Sequence, residues 1–226
     1  MDKALWDKLA AAGGIAGVVL FVVGLLVMGS PPGVDEDPAA VADFFADNRG
    51  QVLWGTFIGG LGALAIIWFV SALGAAMRNA GEGRLAAALG LAFAITFAIG
   101  SVAVLLRAGL AFNVAPGGDA EVAWALYQTS VTLDTFSAVI AAGVYASVAG
   151  AALRTGFLPR WWGWISGLTA LYSIVAATGW ARDGFWSPDG IGLVSFLVFL
   201  AWILVSSILL TARTREAPAG QPAPSL

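Results

Sequence analysis

Six apolar runs separated by short polar stretches constrain this chain more than any other feature. They cover about residues 10–29, 52–77, 85–112, 122–153, 161–181 and 190–212. A bilayer core about 30 Å thick is crossed by about 20 helical residues, and every run reaches that length. The third and fourth are longer, so they must tilt or project beyond the hydrocarbon. A closed β-barrel would need ten-residue strands of alternating polarity, and these runs do not alternate. Only 11% of the 226 residues are charged, against about a quarter in a soluble domain. The sequence therefore predicts an all-α integral membrane bundle of six transmembrane helices occupying residues 1–212.

Charge placement predicts the direction of each crossing. Lys3 and Lys8 precede the first run, Arg78 and Arg84 lie between the second and third, Arg154 and Arg160 between the fourth and fifth, and Arg213 and Arg215 after the sixth. Six crossings put all eight on one side. The other side holds Arg49 and Arg182, with Asp35, Glu36, Asp37, Asp43, Asp47, Asp119, Glu121, Asp183 and Asp189. The excess of positive charge on cytoplasmic loops then places both termini in the cytoplasm. Lysines before an apolar run also match a cleaved signal peptide, which would leave five spans. The length of the run, and the lack of a clear small-residue cleavage motif before Ser30, favour an uncleaved first helix.

The first outer loop, about 30–50, is the long one. Asp37 followed by Pro38 is a helix-start signal, and Val41, Phe44, Phe45 and Asn48 follow at helical spacing. A short interfacial helix is expected there. Its apolar side either enters the headgroup region, with Asp43 and Asp47 in water, or rests on the bundle as a cap. Residues 213–226, rich in Pro, Ala and Gly, read as a disordered cytoplasmic tail. Trp161, Trp162, Trp164, Trp180 and Trp186 read as depth anchors at the interfaces. Gly13/Gly17, Gly55/Gly59 and Gly163/Gly167, with Gly143, Ser147 and Ala151, are small residues four apart that mark close helix contacts.

Several kinds of chemistry are excluded by residue counts. Cys and His are both absent, which removes disulfides, iron–sulfur clusters, histidine-ligated haem, thiolate or imidazole zinc sites and Ser-His catalysis. Both lysines precede the first run, so no buried lysine can carry a Schiff base. The net charge of -3 comes without a basic patch for nucleic acid. No cofactor and no metal are expected.

The stretch from Gly143 to Tyr172 reads GVYASVAGAALRTGFLPRWWGWISGLTALY, with the core L-R-x-G-x-L-P-R-W-x-G-W. It resembles a widespread group of bacterial multi-pass membrane proteins described only as a domain of unknown function. The acidic first loop leading into FFADNRG is similar too. That resemblance implies a six-helix bundle without a known cofactor or activity, and it carries no catalytic residues to this chain. Nine arginines against two lysines, with abundant Ala and Gly, match the composition of a GC-rich genome such as an actinobacterium's.

Two ionisable residues lie well inside apolar runs, Arg107 in the third and Asp134 in the fourth. Charges at such depth cost several kcal/mol and are usually paired or water-facing. Measured from the cytoplasmic arginines, both sit about 30–35 Å up their helices, near the outer hydrocarbon boundary. Measured from the short outer loop, Asp134 lies deeper by about 12 Å. The polar character of residues 121–134 favours the first ruler, and an Arg107–Asp134 ion pair between neighbouring antiparallel helices is expected. It either fixes helix register or floors a cavity open to the outer face, joined by Tyr127, Gln128, Thr129, Ser130, Thr132, Thr135 and Asn113.

The residues favour a non-catalytic role, as an accessory, structural or interaction subunit with a protein partner or a second copy. The alternative is a small-solute or lipid-binding or transport protein using the Arg107–Asp134 region. An enzyme would need paired acids, a metal site or an activated nucleophile, and the runs supply none of these.

Overall fold

The computed structural model describes the backbone of residues 3–216 and the side chains of 8–213. Its described residues form seven α-helices and no strand. These are α1 (Lys3–Met28), α2 (Pro38–Asp47), α3 (Arg49–Asn79), α4 (Gly83–Gly109), α5 (Ala120–Thr155), α6 (Arg160–Ala176) and α7 (Leu193–Glu216). A π-turn at Leu110–Val114 follows α4, and another at Pro188–Gly192 leads into α7. Five helical segments are long and apolar enough to cross a membrane: α1, α3, α4 with its π-turn, α5 and α7.

Small residues decide how the first long helices meet. A Cβ on Gly13 would lie 2.6 Å from the Ala65 carbonyl oxygen, one on Gly24 2.8 Å from that of Gly55, and one on Gly55 2.6 Å from that of Gly24. Backbones approach this closely only where the side chain is a hydrogen atom. Gly17 and Gly62 face each other in the same seam. The expected contact residues Gly13, Gly17 and Gly55 are thus in place. Gly59 behaves differently: a Cβ there would meet nothing within 4 Å, and it is Gly59's backbone nitrogen that crowds Gly24. Gly143 abuts Ala92, and Gly163 abuts Leu153 and Ala152.

Around the bundle α3 neighbours α1 and α4, α1 neighbours α7, and α4, α5 and α6 follow one another. The seam between α6 and α7 is closed by large side chains. Trp162 Nε1 donates to Ser206 Oγ at 2.9 Å, Trp202 Nε1 donates to Ser166 Oγ at 2.9 Å, and the two indoles stack at 6.4 Å. Tyr145 meets Trp202 edge-on at 5.1 Å. Buried polar side chains need partners of this kind in an apolar interior. Trp162 is therefore a core residue, 4% exposed, and not the interface anchor expected from its place in the Trp run. Trp161 and Trp164 do face outward.

The apolar interior has two storeys. The larger joins Ile66, Phe69, Leu73, Leu89, Phe93, Tyr145, Trp162 and Ile203 from the long helices. The smaller, at the acidic end, joins Val41, Phe45, Val52, Leu110, Ala123, Tyr127 and Val131. Helix α2 starts as expected, with Asp37 extended and Pro38 in the first turn. Its apolar side does not lie free for headgroups, because Val41 and Phe45 are fully buried against α5 and the first π-turn. It is a cap. On the outside, Leu26, Leu64, Leu91, Leu105, Leu168 and Leu197 are among many exposed large apolar side chains, an apolar surface suited to lipid contact.

Two expected boundaries need correction. The fifth run, expected over 161–181, is helical only through Ala176, because residues 177–187 turn away through Gly184, whose φ is 73°. Ala181 N donates to the Trp186 carbonyl at 3.2 Å and closes that loop. At 17 residues, α6 rises about 25 Å, shorter than the other long helices. It nevertheless carries the chain from the end marked by the Arg154–Glu82 contact to the end marked by Asp189. Helix α7 continues to Glu216, past the boundary expected at 212. The remaining tail, 217–226, lies outside the described residues.

Candidate functional site

Helix α5 builds the site by its periodicity. Tyr127, Ser130 and Asp134 recur at intervals of three and four, so they share the face that α4 and the segment between α1 and α2 approach. The N-terminus of α5 is fixed by Asp119, whose carboxylate accepts from Val122 N at 3.1 Å. Arg107 projects from the last turn of α4, just before the helix widens into its π-turn. Such widenings re-aim side chains and recur at functional positions.

Arg107 Nη2 donates to Asp134 Oδ2 at 2.6 Å, and Arg107 Nε donates to Ser130 Oγ at 3.0 Å. Ser130, fully buried, donates its own proton to the Tyr127 carbonyl at 2.7 Å. The ion pair is only partly covered, with side-chain exposures of 21% for Arg107 and 39% for Asp134. It lies between the two storeys: on α5 the smaller cluster ends at Val131, and the larger one begins at Ala141.

Above the pair, α5 holds the strap that leads into α2. Tyr127 Oη donates to the Pro32 carbonyl at 2.7 Å, and Gln128 Nε2 donates to the Val34 carbonyl at 2.5 Å. From the α6–α7 connection, Asp189 Oδ2 accepts from Val34 N at 3.0 Å. The strap, the N-terminal part of α5 and the α6–α7 connection, distant in sequence, therefore meet at one end. Phe45 packs on the Tyr127 ring at 5.7 Å.

The residues grouped by the sequence as a possible cavity divide in the structure. Arg107, Asp134 and Ser130 form one hydrogen-bonded array that ends on the Tyr127 carbonyl, while the Tyr127 and Gln128 side chains bond the strap instead. Thr129, Thr132 and Thr135 donate to carbonyls of their own helix, at Ala125, Gln128 and Val131. Asn113 is exposed on the π-turn. Two shallow, open hollows lie elsewhere. One of about 490 Å³ is lined by Gly50, Leu53, Trp54 and Phe57, and one of about 230 Å³ lies between α6 and α7 beside Tyr172 and Val198. Among the described residues, no group of three or more acidic side chains is placed to hold a metal ion.

Sequence reasoning missed Asp189 and the carbonyls of Pro32 and Val34, because backbone acceptors leave no compositional trace. It also missed the Trp–Ser braces, which did leave one. Trp162-x-x-x-Ser166 and Trp202-x-x-x-Ser206 are the same spacing on two neighbouring helices. Run antiparallel, each indole reaches the other helix's serine.

Chemically, the array offers a fixed positive and a fixed negative group with unequal exposure, and it offers no nucleophile beside a base. Comparison with protein-family models, with curated proteins and with solved structures finds no match at any level that would bear on function.

Proposed function

We propose that this chain is a non-catalytic integral membrane protein of the bacterial plasma membrane. In this reading it crosses six times with both termini in the cytoplasm and serves as an accessory or interaction subunit. Helix α6, the fifth crossing in chain order, is the one added to the five long segments. Its outward residues Trp164, Leu168, Leu171 and Ile174 are all at least half exposed, and a short span is accommodated by local thinning of the bilayer. The arginine-bearing ends of α3, α5 and α7 face the cytoplasm, and the cap of α2, the strap and the outer end of α5 face outward.

The observation that carries this reading is the destination of the interior polar groups. The Trp162–Ser206 and Trp202–Ser166 bonds, the Ser207 hydroxyl on the Ala11 carbonyl, and the Arg107–Ser130–Asp134 array all join one helix to another. Groups used in this way set helix register and fold specificity. They do not line a path across the membrane.

Two experiments test the reading. The chain has no cysteine, so Asp35→Cys and Asn79→Cys each supply a unique label site at opposite ends. An impermeant maleimide applied to intact cells is expected to modify position 35 and not 79, and the reverse pattern overturns the orientation. Mild detergent extraction is expected to retain a stoichiometric protein partner. A monomer that instead moves a solute across reconstituted vesicles overturns the accessory role.

A further inference from the structure

Arg107 and Asp134 satisfy each other with only part of their bonding capacity. Arg107 has five N–H donors in a planar fork. Its Nε and one Nη2 proton are engaged, and Nη1 has no partner among the described residues. Asp134 Oδ2 is engaged, and Oδ1 has no partner there. Neither is a sealed, orphaned atom. Both open atoms belong to side chains that reach the protein surface.

The surface they reach changes character at that level. Going down α5, the exposed side chains include Glu121, Thr129 and Thr132 above Asp134, then Phe136 and Val139 below it. On α4, exposed Leu105 and Val102 lie on the inner side of Arg107. On α5 the exposed side chains next to the pair pass from threonines to Phe136 and Val139 within about one turn, while exposed Val122 and Phe112 lie farther out, beside the cap. Under the membrane orientation proposed above, on which this step rests, that transition is the outer boundary of the hydrocarbon. Unpaired donors and acceptors cannot be left against acyl chains. What lies beside them at this depth is the headgroup layer.

We propose that the Arg107–Asp134 pair is a binding site for a zwitterionic phosphoethanolamine headgroup of an outer-leaflet lipid. The phosphodiester accepts from Arg107 Nη1, and the primary ammonium donates to Asp134 Oδ1. An ion pair left with open donors on the arginine and an open acceptor on the carboxylate is the complement of a ligand that carries an anion and an N–H cation a few bonds apart. Choline lacks the N–H proton, so it cannot make the second bond. An anionic glycerol headgroup meets Arg107 equally well but brings uncompensated charge beside the Asp134 carboxylate. The expected order is therefore ethanolamine first, with choline and glycerol behind. One charge-assisted hydrogen bond separates ethanolamine from choline, which corresponds to about tenfold in affinity.

The test uses the full-length protein in detergent with phosphatidylethanolamine, phosphatidylcholine and phosphatidylglycerol of identical acyl chains. Native mass spectrometry reads retained lipid, and thermal unfolding reads stabilisation. The wild type is expected to retain ethanolamine lipid about tenfold better than choline lipid, and Asp134→Asn is expected to lose that preference. Equal retention of the three lipids overturns the proposal, as does a folded Asp134→Asn protein that keeps the preference. The wild-type comparison is decisive by itself, so the proposal stands or falls even where the variant does not fold. Equal stabilisation by water-soluble glycerophosphoethanolamine overturns the lipid as the source. Reversed cysteine labelling would remove the outer-leaflet placement without altering selectivity in detergent, so the two failures are distinguishable.

Discussion

Replacing Gly55 by alanine should open the α1–α3 seam, and replacing Gly59 by alanine should not. The new Cβ of Gly55→Ala would lie 2.6 Å from the Gly24 carbonyl oxygen and 2.9 Å from Met28 N. Ordinary contact begins at 3.4 Å, so the helices must separate by most of an ångström. Neither opposing atom is the end of a flexible side chain. A radial gap of that size forfeits a quarter to a half of each contact along the seam. With on the order of 30 atom pairs at about 0.15 kcal/mol each, the loss is about 1–2 kcal/mol. The intrinsic helix gain of alanine over glycine, up to about 1 kcal/mol, partly offsets it. Gly59→Ala collects the same gain with nothing within 4 Å to oppose it. The two variants should therefore differ by about 1–2 kcal/mol in opposite directions from wild type. Unfolding followed by circular dichroism in mixed micelles with increasing SDS measures that difference. Gly24→Ala forces the same separation, so Gly24→Ala with Gly55→Ala should cost less than the sum by about 0.5 kcal/mol or more. Equal effects at Gly55 and Gly59, or strict additivity of the double variant, would refute a backbone-to-backbone seam.

Two further outcomes follow from the hydrogen bonds. Trp202→Phe and Ser166→Ala should each destabilise the bundle, and the double-mutant cycle should return a coupling of about 1 kcal/mol. A coupling near zero in the same SDS titration would mean that the indole proton is satisfied elsewhere. Tyr127→Phe removes the donor to the Pro32 carbonyl and should raise proteolytic nicking of the 30–37 strap about fivefold, the equivalent of about 1 kcal/mol. Thr129→Val, which removes a hydroxyl bonded only within its own helix, should leave the nicking rate unchanged.

Much of the helical architecture can be read from hydropathy, because lipid demands long uninterrupted apolar segments with internally bonded backbones. The start of α2 is similarly plain, since Asp37-Pro38 disfavours any continuation of the preceding chain. What cannot be read is which neighbour a side chain meets. Trp162 is buried and Trp161 exposed, although they are adjacent in a run of indoles. Only the helix's rotation about its own axis separates an anchor from a core residue, and packing partners set that rotation. Gly55 and Gly59 are indistinguishable as a spaced pair, yet only Gly55 opposes a carbonyl within contact range. The early end of α6 has no apolar signal either. Ala177 continues the composition of the run, and the chain turns because Gly179 and Gly184 permit a compact loop beneath Ile191.

The depth of Asp134 shows why two rulers drawn along the same sequence disagree. Counting inward from the outer loop assumes that a helix begins where the membrane begins. Here α5 begins at Ala120 and Asp134 contacts Arg107 fourteen residues later, about 21 Å along the axis. Those first turns are covered by α2, the strap and the π-turn after α4, and their buried face holds Tyr127 and Ser130 bonded to groups outside α5. A segment whose buried face is covered by protein in this way can stand clear of lipid. Counting outward from Arg84 and Arg154 assumes only that arginines stay out of hydrocarbon, a far more costly condition to violate. That ruler brings Arg107 and Asp134 to one height, as their 2.6 Å contact requires. The long apolar run of α5 is thus two physical segments in one helix. Just below Asp134 its exposed side chains are apolar, and just above it they are polar while the opposite face supports the cap. An ion pair set at that junction ties the cap to the bundle where the exposed surface of α5 turns from polar to apolar.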